Sequence, residues 1–173
     1  MLALEVVTLP VTDVERALAF YTEQAGFTLD VDYRPTADFR VVQLTPRGSA
    51  CSVQLVIADS PGRVHNLYLV TPDLAEARAT LIARGVAVGA IRHKDSVDTW
   101  AGGWAAGLDP KRRDYASFAD FADPDGNTWT LQERGHRVSS QIAQVEAHDQ
   151  IRSLGVTSAG RHADPSNAAV DPV

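Results

Sequence analysis

Asn66-Leu67-Tyr68-Leu69-Val70-Thr71-Pro72-Asp73-Leu74-Ala75-Glu76-Ala77-Arg78-Ala79-Thr80-Leu81, closing at Gly85-Val86, is a pattern this chain uses twice. The other copy is Val6-Val7-Thr8-Leu9-Pro10-Val11-Thr12-Asp13-Val14-Glu15-Arg16-Ala17-Leu18-Ala19-Phe20-Tyr21, closing at Gly26-Phe27. Each copy reads as an alternating strand, an Asp helix cap, an apolar stripe of helical period and a Gly stop. Asp13 and Asp73 supply the short acceptor side chain that a helix start needs.

The repeat extends past the helices. Asp13 and Asp73 stand 60 residues apart, whereas Gln54 and Thr130, inside the matching stretches 52–56 and 128–132, stand 76 apart. Residues 39–45 lie over 115–121 at that second offset. The chain is therefore a duplicated βαβββ module, and its second copy holds about 16 extra residues between its second and third strands. That insertion spans 92–114 and carries Trp100, Gly102-Gly103 and Trp104. A loop of this length in a compact domain is commonly functional, and it is expected to act as a lid over the sheet.

Composition narrows the classes. The 173 residues carry a net charge of −6, which disfavours a nucleic-acid or acidic-membrane surface. No apolar run approaches the roughly 20 residues of a spanning helix. The start Met1-Leu2-Ala3-Leu4-Glu5 has no basic leader, and Cys51 is the one cysteine, so a cytoplasmic protein is expected. Module one is assigned to 3–59 and module two to 63–134, joined by Ser60-Pro61-Gly62; 135–173 is a tail. Strands are expected near 4–10, 27–33, 39–45, 51–57, 64–70, 86–91, 115–121 and 128–133, with helices over 13–24 and 73–84. In the tail, Val138, Ile142 and Val145 give a weak helical stripe to about Leu154, with disorder expected beyond.

Asp123-Pro124-Asp125-Gly126-Asn127 before the last strand, with Val11-Thr12-Asp13, Phe20-Tyr21 and Gly26-Phe27 in the first module, resembles the vicinal oxygen chelate superfamily. That group includes glyoxalase I, extradiol dioxygenases and bleomycin-binding proteins. The resemblance covers about 3–134 and implies an α+β fold, with two paired βαβββ modules forming a curved, half-open mixed sheet around a cavity. It also implies a homodimer, because in relatives the open sheet edge is covered by a partner chain or by the sister module.

In metal-bearing relatives four inward strand positions supply ligands. The resemblance carries these onto Val6, Gln54, Asn66 and Thr130. Val6 has no donor atom, and Asn66 and Thr130 are weak neutral ligands beside the imidazole, carboxylate or thiolate that a transition metal requires. No metal and no cofactor are therefore expected.

Strand alternation places Val7, Leu9, Val53, Leu55, Leu67, Leu69, Trp129 and Leu131 on the helix-covered face. Thr8, Gln54, Asn66, Tyr68 and Thr130 then line a concave, polar but uncharged side. Trp100 and Trp104 are candidate walls for a flat ligand, and Arg113 a candidate anion contact. His93 with Asp95 reads either as a base with its orienting carboxylate or as a surface pair. Two functions remain: a metal-free protein binding a small organic molecule, or a lyase, isomerase or dioxygenase of the same superfamily, the latter working through His93, Asp95, Asp98 or Tyr115.

Overall fold

Asp13 and Asp73 do what a cap must: their side chains accept from the backbone N–H of Arg16 at 3.0 Å and of Glu76 at 2.9 Å. The structure, a computed structural model, describes residues 1–59, 63–96, 98 and 101–137. Ser60-Pro61-Gly62, Trp100 and the tail stripe at Val138, Ile142 and Val145 lie outside the described residues. One compact unit runs from Met1 to His136.

Module one comprises β1 (Val6–Val11), α1 (Val14–Ala19), β2 (Thr28–Thr36), β3 (Phe39–Thr45) and β4 (Ser52–Ile57). Its sheet order is β1-β4-β3-β2, with β1 parallel to β4. Module two comprises β5 (Leu67–Thr71), α2 (Leu74–Ala83), β6 (Arg92–Lys94), β7 (Trp104–Ala106), β8 (Ser117–Ala122) and β9 (Thr128–Glu133). Its sheet order is β5-β9-β8-β6-β7, and β5 is parallel to β9. The α+β class and the half-open mixed sheets follow the repeat. No described helix is long and apolar enough to cross a membrane.

Three details depart from the sequence reading. The first helix is α-helical for only six residues, and Phe20–Gln24 continue as a wider π turn closed by Ala25 N–H donating to Phe20 O at 2.9 Å. The wider turn accompanies the burial of two adjacent aromatics, Phe20 and Tyr21, which a regular helix would splay by about 100°. Next, the strand expected at 86–91 is a single bridge, Val88 with Phe121, and the true strand begins at Arg92. Val86 and Val88 fill the core, while the Arg78 guanidinium donates to the carbonyls of Gly89 at 2.7 Å and Val88 at 3.3 Å. Those oxygens are thus occupied by a side chain. Finally, the insertion does not begin as a loop: β6 and β7 form a hairpin that widens the sheet, with Lys94 opposite Trp104.

The modules pack through one shared core. Leu9, Val42 and Leu55 of module one join Leu74, Phe121 and Leu131 of module two. Tyr21 is central. Its ring lies 6.0 Å from Trp129, its hydroxyl donates to Asp123 Oδ2 at 2.8 Å, and Trp129 Nε1 donates to that hydroxyl at 3.1 Å. Burial, with the Asp123 charge adding, pushes the Tyr21 phenol well above its ordinary value.

The Asp123–Asn127 turn clamps the modules together. Asp123 Oδ1 accepts from the N–H of Asp125 and of Asn127, each at 2.9 Å. Asn127 Nδ2 donates to Pro10 O at 3.1 Å. Asp125 Oδ1 accepts from Thr12 N–H at 3.0 Å, Thr12 Oγ1 at 2.6 Å and Arg16 Nη2 at 2.8 Å. Desolvation pushes the Asp125 carboxyl up, yet the Thr12 and Arg16 contacts outweigh it and hold it below the usual range. Gly126 sits at φ +86°, where a side chain would be strained.

Candidate functional site: the open face of module two

Strand register assembles the site. Tyr68 on β5 lies opposite Thr130 on β9, which lies opposite Asp120 on β8. One row along, Val70, Gln132, Phe118 and Arg92 follow in register. Asn66 stands just before β5 at φ +59°, a conformation Asn tolerates, with its N–H donating to Thr128 Oγ1 at 2.9 Å. Trp104 closes the far side from β7 and stands edge-on to Phe118, with ring centroids 5.1 Å apart. Asn66, Tyr68, Arg92, Trp104, Phe118, Asp120, Thr130 and Gln132 enclose a cleft of about 540 Å³, within the size range of small-molecule sites.

Polar chemistry runs across its floor. Thr130 Oγ1 donates to Asp120 Oδ1 at 2.9 Å, and Asp120 Oδ2 pairs with Arg92 Nη1 at 2.6 Å. The Arg92 guanidinium carbon stands 4.8 Å and Lys94 Nζ 4.7 Å from the Trp104 ring centre, a distance at which an indole attracts cations. Trp104 remains 50% exposed. Covering the rest would remove about 100 Å² from water, worth roughly 2–3 kcal/mol.

Of the residues singled out in the sequence, Asn66, Tyr68, Trp104 and Thr130 line this cleft. Thr8 and Gln54 stand on the other sheet, opposite each other in the β1–β4 register. Gln54 lines a separate hollow of about 550 Å³ with Phe39 and Arg40. Arg113 is committed elsewhere: its N–H and guanidinium hold both oxygens of buried Asp109 at 2.9–3.0 Å, and Nη1 reaches Asp98 at 3.1 Å. Those Arg113 hydrogen bonds hold the Asp109 carboxyl down at about 2. His93 pairs its ring nitrogen with the Gly107 carbonyl at 2.9 Å.

The cleft is also not uncharged: alternation along 128–132 places Thr130 in it, and the partner strand brings Asp120 beside it. Counting back from the turn pairs Ala122 with Thr128 and hence Asp120 with Thr130, a signal present in the sequence. Arg92 joins them because the sixth strand begins there and not at 86. A third hollow, about 760 Å³, opens between the modules on the helix side; core side chains such as Phe27, Leu81 and Phe121 form its floor.

The relatives' metal chemistry does not fit these residues. Val6 offers no ligand atom, Thr130 already donates to Asp120, and Gln54 lies outside the cleft where Asn66 sits. Among the described residues, no three His, Cys, Asp or Glu side chains converge. A lone amide and hydroxyl set lacks the anionic or imidazole donors that such ions need.

A family model for the Glyoxalase/Bleomycin resistance protein/Dioxygenase superfamily matches residues 3–131. The chain belongs to this superfamily. Among solved structures it is similar to TnmS3, described as an antibiotic binding protein, from Streptomyces sp. CB03234, at 32% identity and TM-score 0.57 over 77% of this chain and 96% of that one. A glyoxalase/bleomycin resistance protein from the same organism matches at 32% identity and TM-score 0.55, over 75% and 99%. A superfamily member from Sphaerobacter thermophilus DSM 20745 matches at 26% identity and TM-score 0.58, over 78% and 98%. No curated protein matches the chain significantly.

Proposed function

We propose that this superfamily member is a metal-free binding protein that sequesters a small, antibiotic-like organic molecule in the module-two cleft. The observation that carries the reading is the convergence of Asn66, Tyr68, Trp104 and Thr130 around about 540 Å³. Similarity to an antibiotic binding protein at 32% identity supports it. Flat surface comes from the half-exposed indole and the exposed Tyr68 ring; amide and hydroxyl groups fix orientation.

The working unit is a homodimer. In each sheet the first strand, β1 or β5, lies at an end with one side unpaired among the described strands. Tyr33 and Val56 on one open face, and Tyr68 and Val70 on the other, are exposed. Such edges and faces favour cover by a second copy.

The test is a melting-temperature screen against aromatic antibiotics, paired with elemental analysis and sedimentation. Expected are a ligand-dependent rise in Tm, no stoichiometric transition metal and a mass twice 18.6 kDa. One tightly held Zn²⁺, Fe²⁺, Ni²⁺ or Mn²⁺ per chain, or turnover of the bound molecule, would move the reading to the lyase, isomerase or dioxygenase side.

A further inference from the structure

The charges lining the module-two cleft, Arg92 and Asp120, balance, but at its rim, on the Trp104 ring, Lys94 adds a positive surplus. Arg92 and Lys94 stand two apart on β6, so both project from the same face. Both lie against the Trp104 ring, at 4.8 and 4.7 Å. Arg92 is balanced by Asp120 at 2.6 Å. Lys94 forms no ion pair among the described residues; its ammonium reaches the Gly102 carbonyl at a long 3.4 Å. Asp98, four residues on, is taken by Arg113. A chain of net charge −6 repels anions at long range, so an unbalanced cation beside an exposed indole is a local exception.

We infer that the cleft selects flat organic molecules bearing one negative charge, a carboxylate or a phenolate. This rests on the binding function proposed above and adds the ligand's charge class to it. The Lys94 ammonium receives the anion, the Trp104 ring flanks the planar body, and Asp120 keeps Arg92 from claiming a second anion. The residue that sets this preference lies in the β6–β7 hairpin, which module one lacks.

Two probes separate charge from shape: 2-naphthoate and its neutral isostere 2-naphthamide, titrated calorimetrically into the full chain. Naphthoate is expected to bind at least fivefold more tightly, and that advantage should shrink as salt rises from 0.05 to 0.5 M (about a threefold shorter screening length). Lys94→Met keeps the stem against the indole and removes the charge. It is expected to cost naphthoate about fivefold and naphthamide nothing. Asp120→Asn is expected to strengthen naphthoate alone. Equal binding of both probes, or equal weakening of both by Lys94→Met, overturns the charge selection and leaves the binding function standing. Failure of both probes at millimolar concentration also overturns it, and the antibiotic melting screen decides the binding function separately.

Discussion

Module one orders its sheet β1-β4-β3-β2, and module two repeats that order as β5-β9-β8-β6 before adding β7. Their open faces differ more than their backbones. The first presents exposed Tyr33 and Val56 beside Gln54, while Arg40, paired with Asp32 and with Glu15 of α1, stands on the helix side of the sheet. The second carries Arg92, Asp120 and Trp104 around a cleft, with Lys94 at its rim against the Trp104 ring. The turns before their last strands differ too: Pro46-Arg47-Gly48-Ser49 simply reverses the chain, whereas Asp123–Asn127 reaches into the sister module. Duplication supplied the scaffold twice; the clamp and the cleft hairpin were built on one copy.

Removing the clamp is expected to have the largest effect. Asp123→Ala strips an acceptor from the Tyr21 hydroxyl, the Asn127 amide and two backbone N–H groups. Each buried group left unpaired costs about 1–3 kcal/mol, so with four such groups a loss of at least about 4 kcal/mol is expected in urea unfolding. A loss under about 1 kcal/mol would break the contrast between the turns.

Acid comes next. The folded carboxyl of Asp109 lies at about 2, and that of Asp125 is lowered as well. A depressed carboxyl contributes stability above its unfolded value, near 4, and loses it as pH falls through the folded value. Stability should therefore be level above about pH 5 and fall between about pH 4 and pH 2. Asp109 contributes at most about 2 kcal/mol, reduced because Arg113 is partly solvated. Asp109→Asn should flatten that part of the profile in a pH series of melts.

Trp104→Ala is expected to weaken ligand binding at least tenfold, about 1.4 kcal/mol, while moving Tm little. The indole is half exposed, so little of it supports the fold. Unfolding, with affinity per folded molecule unchanged, would return Trp104 to the core and erase the difference between the open faces. The smallest effect belongs to module one: Arg40→Met should cost under about 1 kcal/mol in the same unfolding assay, since its partners Glu15 and Asp32 are 68% and 35% exposed.

Local signals made the fold legible. Asp caps, Gly stops and period-two strands act within a few residues, and the repeat confirmed each twice. What escaped depended on contacts between distant residues. The π turn at Phe20–Gln24 answers to Trp129 and Phe121, over a hundred positions away. The strand expected at 86–91 gave way to Arg78, whose guanidinium is invisible to periodicity. At the site, Asn66, Tyr68 and Thr130 were readable from alternation. Arg113 was not, because its commitment to Asp109 depends on a loop with Arg112 at φ +49° and Tyr115 at φ +64°.

The clamp also decides how the chain can be divided. A fragment ending at Asp59 would keep β1 to β4 yet leave Tyr21, Thr12 and the Pro10 carbonyl facing water. Its complement beginning at Arg63 would expose Trp129 and the acceptors of Asp123 and Asp125. Neither half is self-sufficient, but each presents the other with a preformed, matching set of donors and acceptors. Co-expressed halves should therefore reassociate without a covalent link, making the chain a natural split reporter whose reassembly is read by the return of an indole–phenol contact.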